Sequence, residues 1–145
     1  MRLSAKAEYA CIALMELTAC TGQTQPVRIK QIARTQAIPE RFLVQILLAL
    51  KSSGLVESTR GAQGGYKLAR PPEQISLADV VDAIDGRPAP HRIPVDGVEQ
   101  STALARSLQS IWCDLARLER DYLEQTTLAD ALTRAQSQDA PMYQI

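Results

Sequence analysis

Residues 60–70 read RGAQGGYKLAR, with three glycines within five positions and basic residues at Arg60 and Lys67. Its residues 61–65, GAQGG, lie between two short β-prone runs, LVESTR and YKLAR, and this arrangement predicts a β-hairpin whose tip is GAQGG. A phosphate-binding P-loop is excluded, because that motif places Gly-Lys-Ser/Thr four residues after a first glycine and opens a helix. Glycines let such a tip approach another molecule closely. The hairpin is therefore either an ordinary turn with solvated charges or a tip that meets a polyanion.

The segment ahead of the hairpin predicts two short helices joined by a tight turn. The first runs from Lys30 to Gln36, and the second, PERFLVQILLALKSS, covers residues 39–53 with Pro39 at its first position. Apolar periodicity predicts a buried face of Phe42, Leu43, Ile46, Leu47 and Leu50. The opposite side carries Arg41, Val44, Gln45, Leu48 and Lys51. A helix-turn-helix followed by a hairpin predicts a mainly α winged helix-turn-helix fold.

Further helices are expected on both sides of this unit. One begins after Ser4, and another, capped by Ser76, carries Leu77, Val80, Val81 and Ile84 on one side. A proline-rich loop follows. A long helix of about 102–125 then shows a heptad seam with steps of four and three. The seam consists of Leu104, Leu108, Ile111, Leu115, Leu118 and Tyr122, with Trp112 beside it. A second copy of the chain is the natural cover for such a seam, and packing onto the first helix is the alternative. Both are expected to occur, because the first helix also needs cover.

These elements predict three regions. Residues 1–72 form the winged helix-turn-helix domain, residues 73–135 form a dimerisation and sensing region, and residues 136–145 form a flexible tail. A short last helix capped by Thr127 is expected before that tail.

The charge of the chain is unevenly distributed, although its formal net charge is zero. Residues 1–70 hold ten Lys or Arg and four Asp or Glu, a net of +6, whereas residues 71–145 hold six and twelve, a net of −6. A basic half of this kind favours a polyanion partner such as double-stranded DNA. The sequence has no apolar run long enough to span a membrane. Its three cysteines suggest a reducing cytoplasm and no disulfide framework. It has one histidine and no nucleophile–base pattern, so we expect a protein that is not an enzyme.

The residues 50–86, LKSSGLVESTRGAQGGYKLARPPEQISLADVVDAIDG, closely resemble the Rrf2 family of bacterial winged-helix transcriptional regulators. The opening MRLSAKAEYACIALMEL and the stretch IPERFLVQIL also fit, so the resemblance covers about residues 1–86. It implies a homodimer that binds a partly palindromic operator, and a repressor is the expected type. The long helix fits the dimerisation helix of the family in pattern rather than in motif.

The fold and the resemblance together predict which residues contact DNA. Arg41 and Gln45 are expected to reach base edges in the major groove. The wing is expected to contribute Arg60, Gln63, Gly64, Gly65 and Lys67. Phosphate contacts are expected from Ser4, Lys6, Arg28 and Lys30.

One departure from the family concerns the cysteines. Cluster-binding members usually place three closely spaced cysteines before the dimerisation helix, whereas residues 86–101 contain none here. Glu8 matches an acidic position that supplies a cluster ligand in some members, and His91 lies in the loop. Because iron–sulfur clusters need thiolates, we expect no metal or other cofactor. Cys11, Cys20 and Cys113 are then buried apolar residues or, for Cys113, a redox-active thiol.

The predicted function is thus a homodimeric regulator without a cluster. Two alternatives are a winged-helix module that binds a protein, and a regulator that responds to thiol oxidation. A metabolic enzyme or a small molecule is a candidate effector, and the sequence specifies neither.

Overall fold

The computed structural model describes residues 2–90 and 102–139 and shows six α-helices with one antiparallel β-hairpin in that part of the chain. The helices are α1 (Ala5–Ala19), α2 (Ile29–Gln36), α3 (Glu40–Ser52), α4 (Leu77–Asp85), α5 (Ala103–Gln125) and α6 (Leu128–Asp139). The strands are β1 (Val56–Thr59) and β2 (Gly65–Leu68), and a 3-10 turn, Pro72–Gln74, precedes α4. The predicted fold class, a mainly α winged helix-turn-helix, is confirmed. None of the helices in the described ranges is both long and apolar enough to cross a membrane.

The helix starts follow from local capping. The side chain of Ser4 accepts a hydrogen bond from the N–H of Ala7 at 3.0 Å, and Thr102 caps α5 in the same way. Ser76 and Asp79 form a reciprocal capping box at the start of α4. Each of these bonds satisfies an N–H that lacks a partner within its helix, which fixes the residue at which the helix begins.

The hydrophobic core is built mostly by α1, α2 and α3, but it extends past the winged part. Leu14, Ile32 and Leu47 are fully buried in the same cluster as Ile75, Val80 and Leu128. The predicted boundary at residue 72 remains a prediction, since the core itself continues across that position. The packing of the helices agrees with this, because α1 contacts α3, which precedes residue 72, and also α4 and α6, which follow it.

The chain returns to this core after α5 through two backbone hydrogen bonds. The N–H of Leu77 donates to the carbonyl of Thr126, and the N–H of Leu128 donates to the carbonyl of Ile75, each at 2.9 Å. Thr127 and Asp130 exchange hydrogen bonds at the start of α6, as its predicted capping role requires. The end of α5 is thereby fixed to the segment that opens α4.

Three expectations need correction. Phe42 is 40 % exposed rather than buried. Pro39 lies at the N-cap of α3, one position before the first helical residue. The last helix is longer than expected, since α6 continues to Asp139 and so occupies residues 136–139 of the predicted tail. Residues 140–145 of that tail lie outside the described residues.

Candidate nucleic-acid interface

The outer face of α3 is polar at two positions and aliphatic at two others. Its buried side consists of Leu43, Ile46, Leu47 and Leu50. At 100° per residue, Arg41, Gln45 and Leu48 lie opposite that side, with Val44 beside them. All four are exposed. The face that the sequence predicts for base contacts is therefore free of contact with the core.

Arg41 is held at the start of this face by its neighbour. Its guanidinium carbon lies 5.1 Å from the centroid of the Phe42 ring, within the range of a cation–π contact. At 100° per residue, Phe42 lies at the edge of the buried face formed by Leu43, Ile46, Leu47 and Leu50, and its exposed part contacts this cation. This contact also restricts where the guanidinium can reach.

The wing is anchored at its base by contacts that require glycine. Val27 and Tyr66 exchange two backbone hydrogen bonds of 2.8 Å, which attach β2 to the segment before α2. A Cβ atom on Gly65 would lie 2.4 Å from the carbonyl oxygen of Val27, and one on Gly64 would lie 2.2 Å from that of Thr59. Both glycines thus have a packing reason to be present, in addition to the predicted approach to DNA.

The side chains of the wing differ in how strongly they are held. Arg60 and Gln63 are exposed and make no hydrogen bond or ion pair within the described ranges. Lys67 lies 3.6 Å from Glu57, and both side chains are more than half exposed, so the pair is weak and screened. Arg60 and Gln63 are thus available to a ligand at no cost in existing contacts, and Lys67 at little cost.

Two predicted phosphate contacts have partners inside the chain. Arg28 donates from its guanidinium to the carbonyl of Ala62 at the wing tip, and so braces the wing. The hydroxyl of Ser4 donates to Asp85 at 2.5 Å, which puts a carboxylate at the start of α1. A phosphate at that helix end would compete with this negative charge. Lys6 and Lys30 are exposed, and no partner is recorded for them in the described part of the chain.

The stripe on α5 is the most exposed apolar surface of the described chain. No residue of this helix is buried, and the seven predicted interface side chains are 43–80 % exposed. They are Leu104, Leu108, Ile111, Trp112, Leu115, Leu118 and Tyr122. The stripe does not pack onto the first helix as the alternative required, since α1 is covered by α3, α4 and α6, whereas α5 packs against α4.

Sequence reasoning missed the side chains that join α5 to α4. Arg120 donates to both carboxylate oxygens of Asp82, at 2.7 and 2.8 Å, and to Glu124 at 2.7 Å. These bonds lower the pKa of Asp82, chiefly through the hydrogen bond from Arg120. The two residues are 38 positions apart, so no local spacing signals the pair.

A cavity of about 540 Å³ lies between the segment after α4 and the outer side of α5. It is lined by Arg87, Pro88 and Pro90 on one wall and by Trp112 and Leu115 on the other. Its lining also includes Arg117, Glu119 and Arg120, so it carries charges of both signs beside the apolar side chains. Trp112 and Leu115 also belong to the exposed stripe, so a second copy of the chain would cover part of the opening.

The chain is similar to known transcriptional regulators over nearly its whole length. The family model Rrf2, described as an iron-dependent transcriptional regulator, matches residues 3–134. A helix-turn-helix-type regulator of Mycobacterium tuberculosis is 45 % identical and covers 90 % of this chain and 80 % of its own. The structure of CymR, the global cysteine regulator of B. subtilis, superposes with a TM-score of 0.79 at 30 % identity, covering 92 % of this chain and 98 % of its own. IscR of T. potens gives 0.77 at 31 % identity, with 100 % and 94 % covered.

The iron dependence in the family description can be tested against the donors of this chain. Cys11 and Cys20 lie at α1 and its C-cap, Cys113 lies on α5, and residues 86–101 contain no cysteine. Within residues 2–90 and 102–139, no three His, Cys, Asp or Glu side chains come together as a metal site. Burial, followed by the charges of Glu8 and Asp85, raises the pKa of Cys11 to about 11 and disfavours a thiolate. The described donors do not fit an iron–sulfur cluster. His91 lies outside the described residues.

The burial and the pKa of each thiol also indicate which cysteine could take part in a response to thiol oxidation. Burial, followed by the charge of Glu16, raises the pKa of Cys20, so the thiols on α1 and at its C-cap both favour the protonated, less reactive form. Cys113 is the exposed thiol of the described chain and contacts Gln109 at 3.5 Å. Cys113 is therefore the most accessible thiol in the described part of the chain for a redox response.

Proposed function

Because the chain belongs to the Rrf2 family of transcriptional regulators, we propose that it works as a homodimer that binds a partly palindromic operator and represses transcription. Its DNA-binding fold and its exposed recognition face supply the contacts to DNA. The single observation that carries the dimer is the apolar stripe along α5, seven large side chains that are 43–80 % exposed. A stripe of this size, uncovered by its own chain, is typical of a surface that pairs with another molecule.

The partner is a second copy because the stripe is self-complementary in pattern. Its residues recur with alternating steps of four and three along α5, which is the seam that two helices of the same sequence bury against each other. A two-fold axis along this seam would present two copies of α3 and two wings. The operator is then expected to show two inverted half-sites, since the symmetry of the DNA site mirrors that of the protein.

The four residues expected to make the first contacts are Arg41, Gln45, Arg60 and Gln63. On the outer face of α3, Arg41 suits the edge of guanine and Gln45 suits the edge of adenine. On the wing, Arg60 suits a phosphate or the minor groove. Arg28, Gly64 and Gly65 support DNA binding indirectly, because they hold the wing in place. A dimer seated on DNA in this way excludes polymerase from an overlapping promoter, which is the reason for proposing repression.

The proposal is tested by coupling the oligomeric state to DNA binding. Selection of genomic fragments by the full chain is expected to yield one inverted-repeat motif. Leu115→Glu places a charge in the seam and is expected to give a monomer with strongly reduced affinity for that motif. Ser110→Glu, an exposed position on the opposite side of α5, is the matched control and should remain dimeric with unchanged affinity. A wild-type chain that is monomeric while bound to its full motif would overturn the dimer.

Regulation is measured separately. A promoter carrying the motif, fused to a reporter, should be less active in the presence of the wild-type chain than in the presence of Leu115→Glu. Higher reporter activity with the wild-type chain would mean activation instead of repression.

A further inference from the structure

Two aliphatic side chains occupy the surface that the proposed function assigns to the DNA. Val44 is 42 % exposed and Leu48 is 55 % exposed. Both lie on the outer face of α3, one helical turn apart, and Gln45 lies between them in sequence. Neither residue belongs to the buried side of α3, which consists of Leu43, Ile46, Leu47 and Leu50.

We propose that Val44 and Leu48 read the C5-methyl groups of thymines in the major groove. This inference rests on the proposed function and names the base pairs that the recognition helix selects. Thymine alone among the four bases presents a methyl group to the major groove, and aliphatic side chains recognise it by direct contact. Gln45 is suited to adenine N6 and N7, so the glutamine and the two aliphatic side chains all favour A·T pairs.

The charges around these residues favour DNA over a protein as the occupant of this face. Arg41 precedes Val44 on the same side of the helix, and Lys51 follows Leu48, where its ammonium donates to the hydroxyl of Ser58 at 2.6 Å. An apolar protein surface would have to desolvate both cations, whereas a groove edged by phosphates pairs with them. Glu40, an exposed carboxylate four residues before Val44, is the one opposing charge among these, and the two cations outnumber it. The net charge next to the aliphatic residues therefore complements DNA.

The spacing also suits a groove. Residues four apart in a helix are separated by about 6 Å along its axis, and successive base pairs by about 3.4 Å. Val44 and Leu48 can therefore reach methyl groups about two base pairs apart within one half-site. The half-site is expected to contain at least one A·T pair whose thymine methyl faces this ridge.

The test removes the methyl group from the DNA and the side chain from the protein. Operators from the genomic selection are synthesised with uracil in place of thymine, one symmetric pair of positions at a time, since uracil lacks only the methyl. Burying one methyl is worth about a fourfold change in affinity, or about fifteenfold when both half-sites are changed. Titrations of the full-length chain at one salt concentration measure this ratio for the wild type, Leu48→Ala and Val44→Ala.

The affinities form a double-mutant cycle between the aliphatic side chain and the thymine methyl group. At one or more positions the wild type loses affinity on uracil, and either Leu48→Ala or Val44→Ala abolishes that loss. Ile12→Ala, an exposed aliphatic residue on α1, is the matched control and should keep the full uracil effect. Because both positions on α3 are exposed, the variants are expected to fold, and circular dichroism verifies this.

Three outcomes would overturn the inference. The uracil effect could be absent at every position in the wild type, or equal in all variants. Alternatively, Leu48→Ala could change the oligomeric state without DNA, which would identify the ridge as a protein contact. Failure of the proposed function would look different, because then no motif would be selected at all.

Discussion

Replacing Arg120 by Gln tests whether α5 is fixed to the rest of the fold by its contact with α4. The wild-type guanidinium makes two hydrogen bonds to Asp82 and one to Glu124, all at 2.7–2.8 Å. The side chains of Arg120 and Asp82 are 21 % and 27 % exposed, so the pair is shielded from water more than a surface ion pair but less than a buried one. Glutamine keeps a polar end, but it is shorter than arginine and loses the charge and the paired geometry.

The magnitude lies between two limits. Exposed ion pairs contribute at most about 1 kcal/mol, and breaking a fully buried pair costs about 3–5 kcal/mol. For a bidentate pair with intermediate shielding, we expect the free energy of unfolding to fall by about 2 kcal/mol. In a chain of this length, that change lowers Tm by about 4–8 °C.

The assay is urea and thermal unfolding of both proteins at the same concentration, because dissociation of a dimer would contribute to the measured stability. Arg117→Gln is the matched control. Arg117 lies on the same helix and pairs with Asp114, but its side chain is 66 % exposed. Its replacement should cost less than about 0.5 kcal/mol. Equal losses in the two variants, or no loss in Arg120→Gln, would refute the assignment of the contact as a structural link.

Three more outcomes are expected. Arg60→Ala should weaken operator binding and, because a dimer would lose one phosphate contact per wing, reduce the slope of log affinity against log salt by about two. Arg117→Ala should leave the affinity and the slope unchanged. If a gel-shift titration shows an unaltered slope for Arg60→Ala, Arg60 is not part of the interface. Gly65→Ala should lower the free energy of unfolding in urea by about 1–3 kcal/mol, because its Cβ would lie 2.4 Å from the carbonyl oxygen of Val27, and wild-type stability would contradict the close approach. The pKa of Asp82 is lowered in the folded protein, so its stabilising contribution is present above the ordinary value of 3.8 and is lost as pH falls through the lower folded value. The difference in free energy of unfolding between the wild type and Asp82→Asn should therefore stay constant from pH 7 to about pH 4 and then shrink. A difference that grows in acid would contradict this sign.

The elements of the fold could be predicted because their signals are local. Ser4, Ser76 and Thr102 each cap the helix that follows, and a cap is a contact between residues three apart. The hairpin was predictable for the same reason, since its strands are adjacent in sequence. The period of apolar residues likewise predicted the core side of α3, apart from Phe42.

Contacts between distant residues could not be predicted in this way. Leu128 fills the core beside Leu14, although nothing in its neighbourhood distinguishes it from a surface leucine of a short helix. Arg28 and Ser4 looked like phosphate ligands in sequence, whereas their partners, the carbonyl of Ala62 and the carboxylate of Asp85, lie 34 and 81 positions away. The sequence therefore predicted the candidate site by residue type. The structure adds which of these side chains have hydrogen-bond partners within the chain and which do not.

The position of α5 matters for DNA recognition because of how its C-terminal half is attached. Arg120 ties it to α4, and the backbone bonds at Thr126 and Leu128 tie its end to Ile75 and Leu77, which begin the same segment. Attachments at two heights along a helix restrain both its sliding and its tilt. If two copies pair along α5, as proposed, the distance between their α3 helices is then fixed by the fold rather than by a flexible linker.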